Sequence, residues 1–360
     1  MTKTRRDFLK IAGATAIGAG AVLAGTKKVH AQAKVFKWKY VQHRIASEPG
    51  MMYYKDLFEN KLPAMSNGRL QIKMYWSGDL VKNTEALDAV KTGMVEIIGQ
   101  PSIYFKGVIP ESSIEYGLPF GIRTPSEMYN FMLGEKMPGY FGGWKAIEFL
   151  RKIYVKHGVH YLVSGMDCWP AAFMFTKPIN SINDIKGKKV RASGNMITWI
   201  EKLGGQGVFI PGEETYTALQ TGALDGVTWG SAMGMYSMKF HEVCKYFLSP
   251  PLMPVNHMTV LVNQKAWDSL PSDLKPMLEF GFIKAGLDMT NHQNFTGEQW
   301  GLNEMQKKHK VTICTLTDND QKRAQKVAFD IWDDEAKKSP SCAELVQKIK
   351  DYMKTLGHTE

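Results

Sequence analysis

Side chains that could catalyse a reaction occur in this sequence, but their spacing fits no catalytic pattern. The chain has no Gly-x-Ser-x-Gly nucleophile motif, no His-Glu-x-x-His zinc motif and no glycine-rich phosphate loop. Its nine histidines are scattered, and isolated ones such as His241 and His257 are predicted to be structural. We therefore predict no catalytic residues and favour a binding protein over an enzyme.

The four cysteines give no indication of a cofactor. Cys168, Cys244, Cys314 and Cys342 are too far apart for the paired spacing of a zinc site or a redox-active dithiol. We interpret them as reduced, small core residues, although an oxidising compartment would permit a disulfide. No cofactor is predicted.

The elements that must position a site alternate between strands and helices. Residues 36–43 favour a strand, and residues 50–65 have apolar side chains at helical spacing. The tail from 271 to 357 is mostly helical by period and charge. We predict strands at 36–43, 70–76, 95–98, 188–192, 207–210 and 223–229, and helices at 50–65, 85–91, 196–203 and 215–220. This order predicts an α/β fold with a largely parallel sheet.

One unit of this pattern occurs twice. Residues 86–97 and residues 216–227 each read as a helix, a Thr-Gly cap and a strand. Two similar α/β lobes, each with this unit, would explain the repeat. Chance is the competing explanation, because glycine caps are common at helix ends.

Residues 1–33 have the order of an export signal. Arg5 and Arg6 precede a weakly apolar run at 11–25, and a small-residue cleavage pattern follows at 31–33. We predict a cleaved twin-arginine signal peptide; an uncleaved anchor or a chance basic helix is the alternative. No later stretch is apolar enough to span a membrane.

The net charge of +10 does not indicate nucleic-acid binding. Six basic residues and one acidic residue give the predicted signal peptide a charge of +5, which leaves +5 on the rest of the chain. Those charges are not clustered as a nucleic-acid surface requires. A mild positive excess suits a protein whose ligands are anions.

The segment from 180 to 226 carries the most distinctive pattern. It contains residues 184–187 (DIKG), 190–191 (VR), 204–205 (GG) and 211–226 (PGEETYTALQTGALDG). This pattern resembles that of the extracytoplasmic solute receptors of tripartite ATP-independent periplasmic (TRAP) transporters, in the dicarboxylate-receptor-like family.

The resemblance spans most of the chain and implies its architecture and partners. TRAP receptors have two α/β lobes joined by crossing hinge strands, with long C-terminal helices and a ligand cleft that closes between the lobes. We expect lobe I at 34–160 plus 256–297, and lobe II at 161–255 plus 298–360. The receptor would work in the periplasm, as a monomer or homodimer, and pass a small organic acid to integral-membrane TRAP subunits.

The resemblance also implies the main ligand-binding residue. The family places an arginine at the end of the Val-Arg strand to bind the ligand carboxylate, and here that residue is Arg191. A planar guanidinium matches a carboxylate with two parallel hydrogen bonds. The alternative is a solvated residue at a strand end, like Lys188 and Lys189.

Six other side chains are candidates for the cleft. By resemblance, Trp229 projects into the cleft and Asn195 occupies a position of polar ligand contact. Tyr216 belongs to the family pattern and is partly structural. The remaining candidates, which could equally be core residues, are Trp169, Phe173 and Tyr104.

A metal ion is not expected in this site. A subgroup of the family that binds 2-oxo acids holds a cation with a glutamine on the strand before the arginine and an acidic residue before the tryptophan. The corresponding positions here are Pro170 and Thr228. Neither replaces a charged oxygen ligand well.

We expect a ligand with one carboxylate and an apolar, aromatic, hydroxy or oxo body. Trp169, Phe173 and Trp229 flank the only arginine that the family pattern assigns to the cleft. Arg44, after the first strand, is the best candidate for a second fixed cation, so a C4-dicarboxylate is the second ligand class considered. Two further functions stay open: a periplasmic enzyme on a similar fold, and an amino-acid or sugar receptor of another transport system.

Overall fold

The computed structural model describes residues 34–46, 48, 50–138 and 142–358. The predicted signal peptide at 1–33 lies outside these residues. The strands of the described part are β1 Phe36–Gln42, β2 Leu70–Tyr75, β3 Ile97–Gln100, β4 Val159–Phe175, β5 Lys189–Arg191, β6 Gln206–Val208, β7 Gly226–Thr228, β8 Tyr246–Asn263 and β9 Thr312–Cys314.

Helices occupy most of the remaining chain, and the tail is helical as predicted. Five-to-seven-residue π-helical segments at Leu57–Lys61 and Thr290–Thr296 interrupt two of the helical regions. The α-helices are α1 Met51–Asp56, α2 Leu62–Met65, α3 Ala86–Thr92, α4 Ser112–Glu115, α5 Pro125–Leu133, α6 Ala146–Tyr154, α7 Asn195–Lys202, α8 Gly212–Gln220, α9 Ala232–Ser237, α10 Phe240–Val243, α11 Gln264–Ser269, α12 Leu274–Met289, α13 Gly297–His309, α14 Asp318–Ala336 and α15 Pro340–Thr355. Among these helices, none combines the length and hydropathy of a membrane span.

The strands form one mixed sheet in the order β2-β1-β3-β8-β4-β7-β5-β6, with β9 paired to β8. In the first half of the sheet, β1 pairs in parallel with β2 and β3. In the second half, β5 pairs in parallel with β6 and β7. The long strands β4 and β8 lie antiparallel between the two halves. The sheet is therefore parallel within each half, as the alternation predicted, and antiparallel in its middle, which the alternation did not indicate.

The two long strands connect the halves. Residues 259–262 of β8 pair with β3, and residues 173–175 of β4 pair with β7. The β4–β8 register shifts at several points, one of them between Ser164 and Cys168, and such irregularities bend a strand. These are the crossing strands that the family resemblance implies. Their hinge role and the boundaries of the two lobes stay predictions.

The repeated unit predicted from the sequence occupies equivalent places in the two halves. α3 ends at Gly93 and leads into β3, while α8 is followed by Gly222 and leads into β7. Both glycines have a left-handed backbone, with φ of 79° and 75°, which glycine adopts without steric cost. β3 and β7 each pair in parallel with the first strand of their half and antiparallel with a long central strand.

Buried apolar side chains pack the helices against the sheet in four groups. In the first half, one group includes α6 and α15 and another includes α1 and α12. In the second half, one group includes α7 and α14 and another includes α8 and α9. Because the helices cover the sheet in this way, open space for a ligand remains at the ends of the strands.

Candidate functional site

A cavity of about 130 Å³ lies at the carboxyl ends of β1, β3, β5, β6 and β7. Ligands of open α/β sheets bind at this edge, where the loops after neighbouring parallel strands meet. The long strands contribute Trp169 from β4 and Asn256 from β8. The wall residues that lie at or shortly after the ends of the five parallel strands include Arg44, Tyr104, Arg191, Phe209 and Trp229.

Arg191 is the last residue of β5, and its side chain is buried in the cavity wall. Its Nη1 donates a hydrogen bond to the Thr228 carbonyl (3.0 Å), and its Nε donates to the Ile210 carbonyl (3.3 Å). The guanidinium carbon lies 4.4 Å from the centre of the Trp229 ring and 5.7 Å from that of Phe209. Backbone carbonyls and aromatic rings therefore hold this guanidinium in place.

The guanidinium of Arg191 has no acidic partner among the side chains that the structure describes. In the described part of the chain, no carboxylate lies within 4.0 Å of its guanidinium nitrogens. Burial lowers the pKa of Arg191, and Tyr116 and Tyr104 act weakly in the opposite direction. An arginine side chain stays protonated in proteins, and a buried charge without a counter-charge is costly. The arrangement therefore favours an anion at Arg191.

Arg44 lines the same cavity, and two acids pair with its terminal nitrogens. Its Nη2 donates to Asp167 Oδ1 and its Nη1 donates to Glu48 Oε2, both at 3.0 Å. The Tyr54 hydroxyl donates to the other oxygen of Asp167 at 3.3 Å. Burial disfavours the charged form of Arg44, but the two carboxylates outweigh burial and raise the pKa of Arg44 above its ordinary value. This guanidinium is compensated inside the protein.

The pKa of His43 is lowered by both arginines of the cavity wall. Burial, Arg44 and Arg191, in that order of size, lower the pKa of His43 to about 3. The imidazole is therefore neutral at physiological pH. Both guanidinium groups contribute to this shift, and all three residues line the same cavity, although Arg44 and Arg191 come from different halves of the sheet.

Aromatic rings form much of the cavity wall. The ring centres of Tyr104 and Phe209 are 6.0 Å apart in an edge-to-face arrangement. Those of Tyr116 and Trp169 are 6.5 Å apart in a similar arrangement. The wall thus combines two guanidinium groups with apolar surface, as sites for small organic ligands do.

The structure brings four of the seven predicted site residues to the cavity. The three others lie elsewhere: Phe173 is stacked in the apolar core. Asn195 Nδ2 donates to the Ser113 carbonyl (3.1 Å), and the Tyr216 hydroxyl donates to the Glu242 carboxylate (2.6 Å). We leave these three out of the proposed site. The four in the wall are Arg191, Trp229, Trp169 and Tyr104.

Several wall residues were not indicated by the sequence. His43 and Phe209 directly follow β1 and β6, so the rule that ligands bind at carboxyl strand ends could have found them. Tyr116, just after α4, and Asn256, within β8, reach the cavity only through tertiary folding. No local signal identifies those two.

Proteins similar to this chain are solute-binding proteins. A monocarboxylate 2-oxoacid-binding periplasmic protein of Nostoc sp. is 26% identical over 98% of this chain and 94% of its own length. The C4-dicarboxylate-binding periplasmic protein DctP of Rhodobacter capsulatus is 27% identical over 81% of this chain and 81% of its own. A solved TRAP periplasmic solute-binding protein of Pseudoalteromonas atlantica, with bound sodium and pyruvate, has a TM-score of 0.77 and 26% identity over 90% of this chain and 95% of that chain.

At the two positions where the family resemblance would put a cation ligand, this chain has no charged side-chain oxygen. Pro170 has no side-chain donor, and the carbonyl of Thr228 accepts a hydrogen bond from Arg191. Glu48, the only acidic side chain in the described wall, is ion-paired with Arg44. Hard cations prefer several charged or carbonyl oxygens, and no group of three or more His, Cys, Asp or Glu side chains among the described residues could hold a metal.

The family model for bacterial extracellular solute-binding protein family 7 (DctP) matches residues 46–339. That span covers most of the chain, including both halves of the sheet and the cavity wall. The fold is that of periplasmic binding proteins, with long C-terminal helices, as in the solved TRAP receptors. Members of the family are receptors and not enzymes. The chain therefore belongs to family 7 of the bacterial extracellular solute-binding proteins, the periplasmic solute receptors of TRAP transporters.

Proposed function

We propose that the cavity binds a small organic acid whose carboxylate is held by Arg191. The observation that carries the proposal is a buried guanidinium in the cavity wall that has no acidic partner among the described side chains. A ligand carboxylate would supply the missing counter-charge. Charge-assisted hydrogen bonds of this kind are about twice as strong as neutral ones, and exclusion of water strengthens them further.

The size of the cavity restricts the ligand. A volume of about 130 Å³ is close to that of an apolar protein cavity which holds one benzene molecule, at roughly 150 Å³. We therefore propose a ligand of about six to ten non-hydrogen atoms. The aromatic wall suits an apolar, aromatic, hydroxy or oxo body.

A single carboxylate suits the charges of the cavity better than two. The second arginine, Arg44, is already paired with Asp167 and Glu48, so it does not offer a free positive charge. Glu48 lines the cavity and would repel a second ligand carboxylate. A C4-dicarboxylate is the second candidate, because Arg44 lies in the wall and one relative is a receptor for that class.

Binding is proposed to need no metal cation. Pro170 and Thr228 supply no charged side-chain oxygen for a cation, and Arg191 supplies the positive charge. Elemental analysis of the dialysed protein, with ligand titrations in the presence and absence of sodium and calcium, tests this point. One equivalent of bound calcium, or sodium-dependent binding, would contradict it.

Delivery of the ligand completes the proposed function. The receptor reaches the periplasm through a twin-arginine signal at 1–33, closes its two lobes over the ligand by bending at β4 and β8, and presents it to integral-membrane TRAP subunits. Replacement of Arg5 and Arg6 by lysine should reduce the periplasmic yield. An unchanged yield would argue against the twin-arginine route.

A thermal-shift screen against a library of mono- and dicarboxylates tests the choice of ligand. A ligand that binds only the folded state raises Tm. We expect the largest shifts from monocarboxylates. Shifts from succinate or malate alone would select the C4-dicarboxylate function, and turnover of the ligand would overturn the receptor function.

A further inference from the structure

The two sides of the cavity carry opposite net charge. On the side that we call the acidic side, Arg44 contributes one positive charge and Asp167 and Glu48 contribute two negative charges. On the other side, Arg191 contributes one positive charge, and no described carboxylate pairs with it. The cavity is therefore polarised, with an excess negative charge on the acidic side and an excess positive charge at Arg191.

The negative charge on the acidic side is accessible to a ligand through Glu48. Its side chain is 29% exposed and lines the cavity, whereas that of Asp167 is 2% exposed and lies behind Arg44. Burial raises the pKa of Asp167, while the ion pair with Arg44 and the hydrogen bond from Tyr54 favour its charged form. Arg44 engages Oε2 of Glu48, and a carboxylate can accept further hydrogen bonds.

A second acceptor lies beside this side of the cavity. Asn256 is fully buried in the wall, and its Oδ1 has no hydrogen-bond partner. Its Nδ2 donates to the Trp169 carbonyl at 3.4 Å, which orients the amide. Trp169 contacts Arg44 as well, because the Arg44 guanidinium carbon lies 4.8 Å from the centre of its indole ring. A buried acceptor without a donor costs free energy, so a ligand that donates a hydrogen bond here is favoured.

We propose that the ligand is a zwitterion, with its carboxylate at Arg191 and an ammonium group at Glu48 and Asn256. This inference rests on the proposed binding of a carboxylate at Arg191. A dicarboxylate would place a second negative charge against Glu48. Once water is excluded, a plain alkanoate would leave Asn256 Oδ1 without a donor and Glu48 with Arg44 as its donor and no other from the ligand. An ammonium group supplies both a positive charge and up to three donors.

Sets of matched ligands test the inference directly. Each set keeps one carbon spacing and replaces the ammonium by a methyl group or by a second carboxylate. The sets are β-alanine, butanoate and succinate; 4-aminobutanoate, pentanoate and glutarate; and alanine, 2-methylpropanoate and methylmalonate. Isothermal titration calorimetry on the purified protein should give, in at least one set, an affinity for the amino acid about tenfold or more above both analogues.

The substitution Glu48→Gln tests whether this residue sets the preference. It keeps the shape of the side chain and removes its charge, so the ratio of affinities between the amino acid and its methyl analogue should fall by about tenfold. The affinity for the dicarboxylate of the same set should rise, because the repulsion is removed. Glu59→Gln, on the next helical segment, is the matched control, and it should leave both ratios unchanged.

The outcomes separate this inference from the proposed function. If plain carboxylates bind at least as tightly as the amino acids in every set, the zwitterion inference is overturned while carboxylate binding stands. A Glu48→Gln protein with an unchanged ratio would also overturn it. If no carboxylate of any kind binds, both the proposed function and this inference are wrong.

Discussion

The two halves of the sheet share one connectivity but surround their arginines differently. In the first half, Arg44 follows β1 and is held by two carboxylates, one of them the buried Asp167. In the second half, Arg191 ends β5, donates hydrogen bonds to two backbone carbonyls and lies over aromatic rings. Each guanidinium lies over a tryptophan, Arg44 over Trp169 at 4.8 Å and Arg191 over Trp229 at 4.4 Å.

This difference shows that a buried arginine at the carboxyl end of a strand is not by itself an anion-binding residue. What decides its role is where its counter-charge comes from. Arg44 is compensated within the fold, so its interactions stabilise the folded state. Arg191 lacks a counter-charge among the described side chains, so we infer that its electrostatic free energy is available for binding a ligand.

The largest expected difference between Arg44 and Arg191 is in how much each contributes to the stability of the folded state. Arg44→Met should lower the free energy of unfolding by about 3–5 kcal/mol, because it leaves the buried Asp167 without its partner. Arg191→Met should lower it by less than about 1 kcal/mol, since no buried acid loses a partner. Urea denaturation of both proteins, without ligand, measures the difference.

A double substitution serves as the control for that stability prediction. In Arg44→Met/Asp167→Asn, the buried charge is removed together with its partner, so part of the lost stability should return. Equal losses in the two single variants would show that Arg44 and Arg191 do not differ as we infer.

The next largest effect concerns ligand affinity. Arg191→Ala should leave the fold intact and weaken binding by about 2–5 kcal/mol, because the ligand carboxylate is left desolvated without its counter-charge. That corresponds to roughly thirtyfold to several thousandfold in Kd. Arg191→Lys should recover only part of the loss, since an ammonium keeps the charge but not the bidentate fork. Calorimetry with a ligand found in the screen measures all three proteins.

Lys189→Ala provides the matched control for Arg191→Ala. Lys189 precedes Arg191 by two residues on β5 and its side chain is exposed. Its removal should change the affinity only slightly, through a screened charge. If Arg191→Ala binds as tightly as the parent protein, the assignment of the carboxylate to Arg191 is wrong.

The third prediction concerns the protonation state of a buried carboxyl group that contacts both long central strands. Glu115, at the end of α4, is fully enclosed next to the cavity residue Tyr116. Its carboxyl group accepts hydrogen bonds from the hydroxyls of Tyr161 on β4 and Thr259 on β8. Burial raises the pKa of Glu115 from 4.5 to about 7, and these hydrogen bonds oppose that shift. The junction between the halves is thus predicted to hold a neutral carboxyl group below about pH 7.

This shift makes stability depend on pH with a definite sign. Between pH 4.5 and about 7, the folded state keeps a proton at Glu115 that the unfolded state has lost, so the free energy of unfolding falls as pH rises, by up to about 3 kcal/mol. Glu115→Gln should flatten this slope in urea denaturation at a series of pH values. Part of the pH dependence of stability should persist in Glu115→Gln, because burial also raises the pKa of Glu298 to about 7. An unchanged slope in Glu115→Gln would contradict the shift.

The sequence predicted the parallel strands and their helices because each is a local pattern. β1, β2 and β5 were located to within about two residues, and the glycine caps marked the ends of α3 and α8. The long strands β4 and β8 were not delimited. They are buried over nearly their whole length, so they lack the alternation that identifies a strand, and their pairing is non-local.

The distinction between local sequence patterns and non-local contacts also explains which site residues the sequence predicted. Arg191 and Trp229 were located because they lie within a linear pattern. The partner of Arg44 could not be predicted, because Asp167 is 123 residues away in the sequence and meets it only when β4 packs beside the first half. For that reason the sequence left Arg44 as a candidate second cation, whereas the structure places it in an ion pair.

The smallest predicted effect compares the two tryptophans. Trp229 lies against the arginine that has no acid, so Trp229→Leu removes a contact that helps to hold the guanidinium for the ligand. A cation–π contact of this kind contributes roughly 1 kcal/mol, so Kd should increase about fivefold. Trp169→Leu should affect Kd less through its arginine, because two ion pairs already hold Arg44. Calorimetry of both variants measures the ratio, and a larger loss in Trp169→Leu would indicate that the indole of Trp169 contacts the ligand itself.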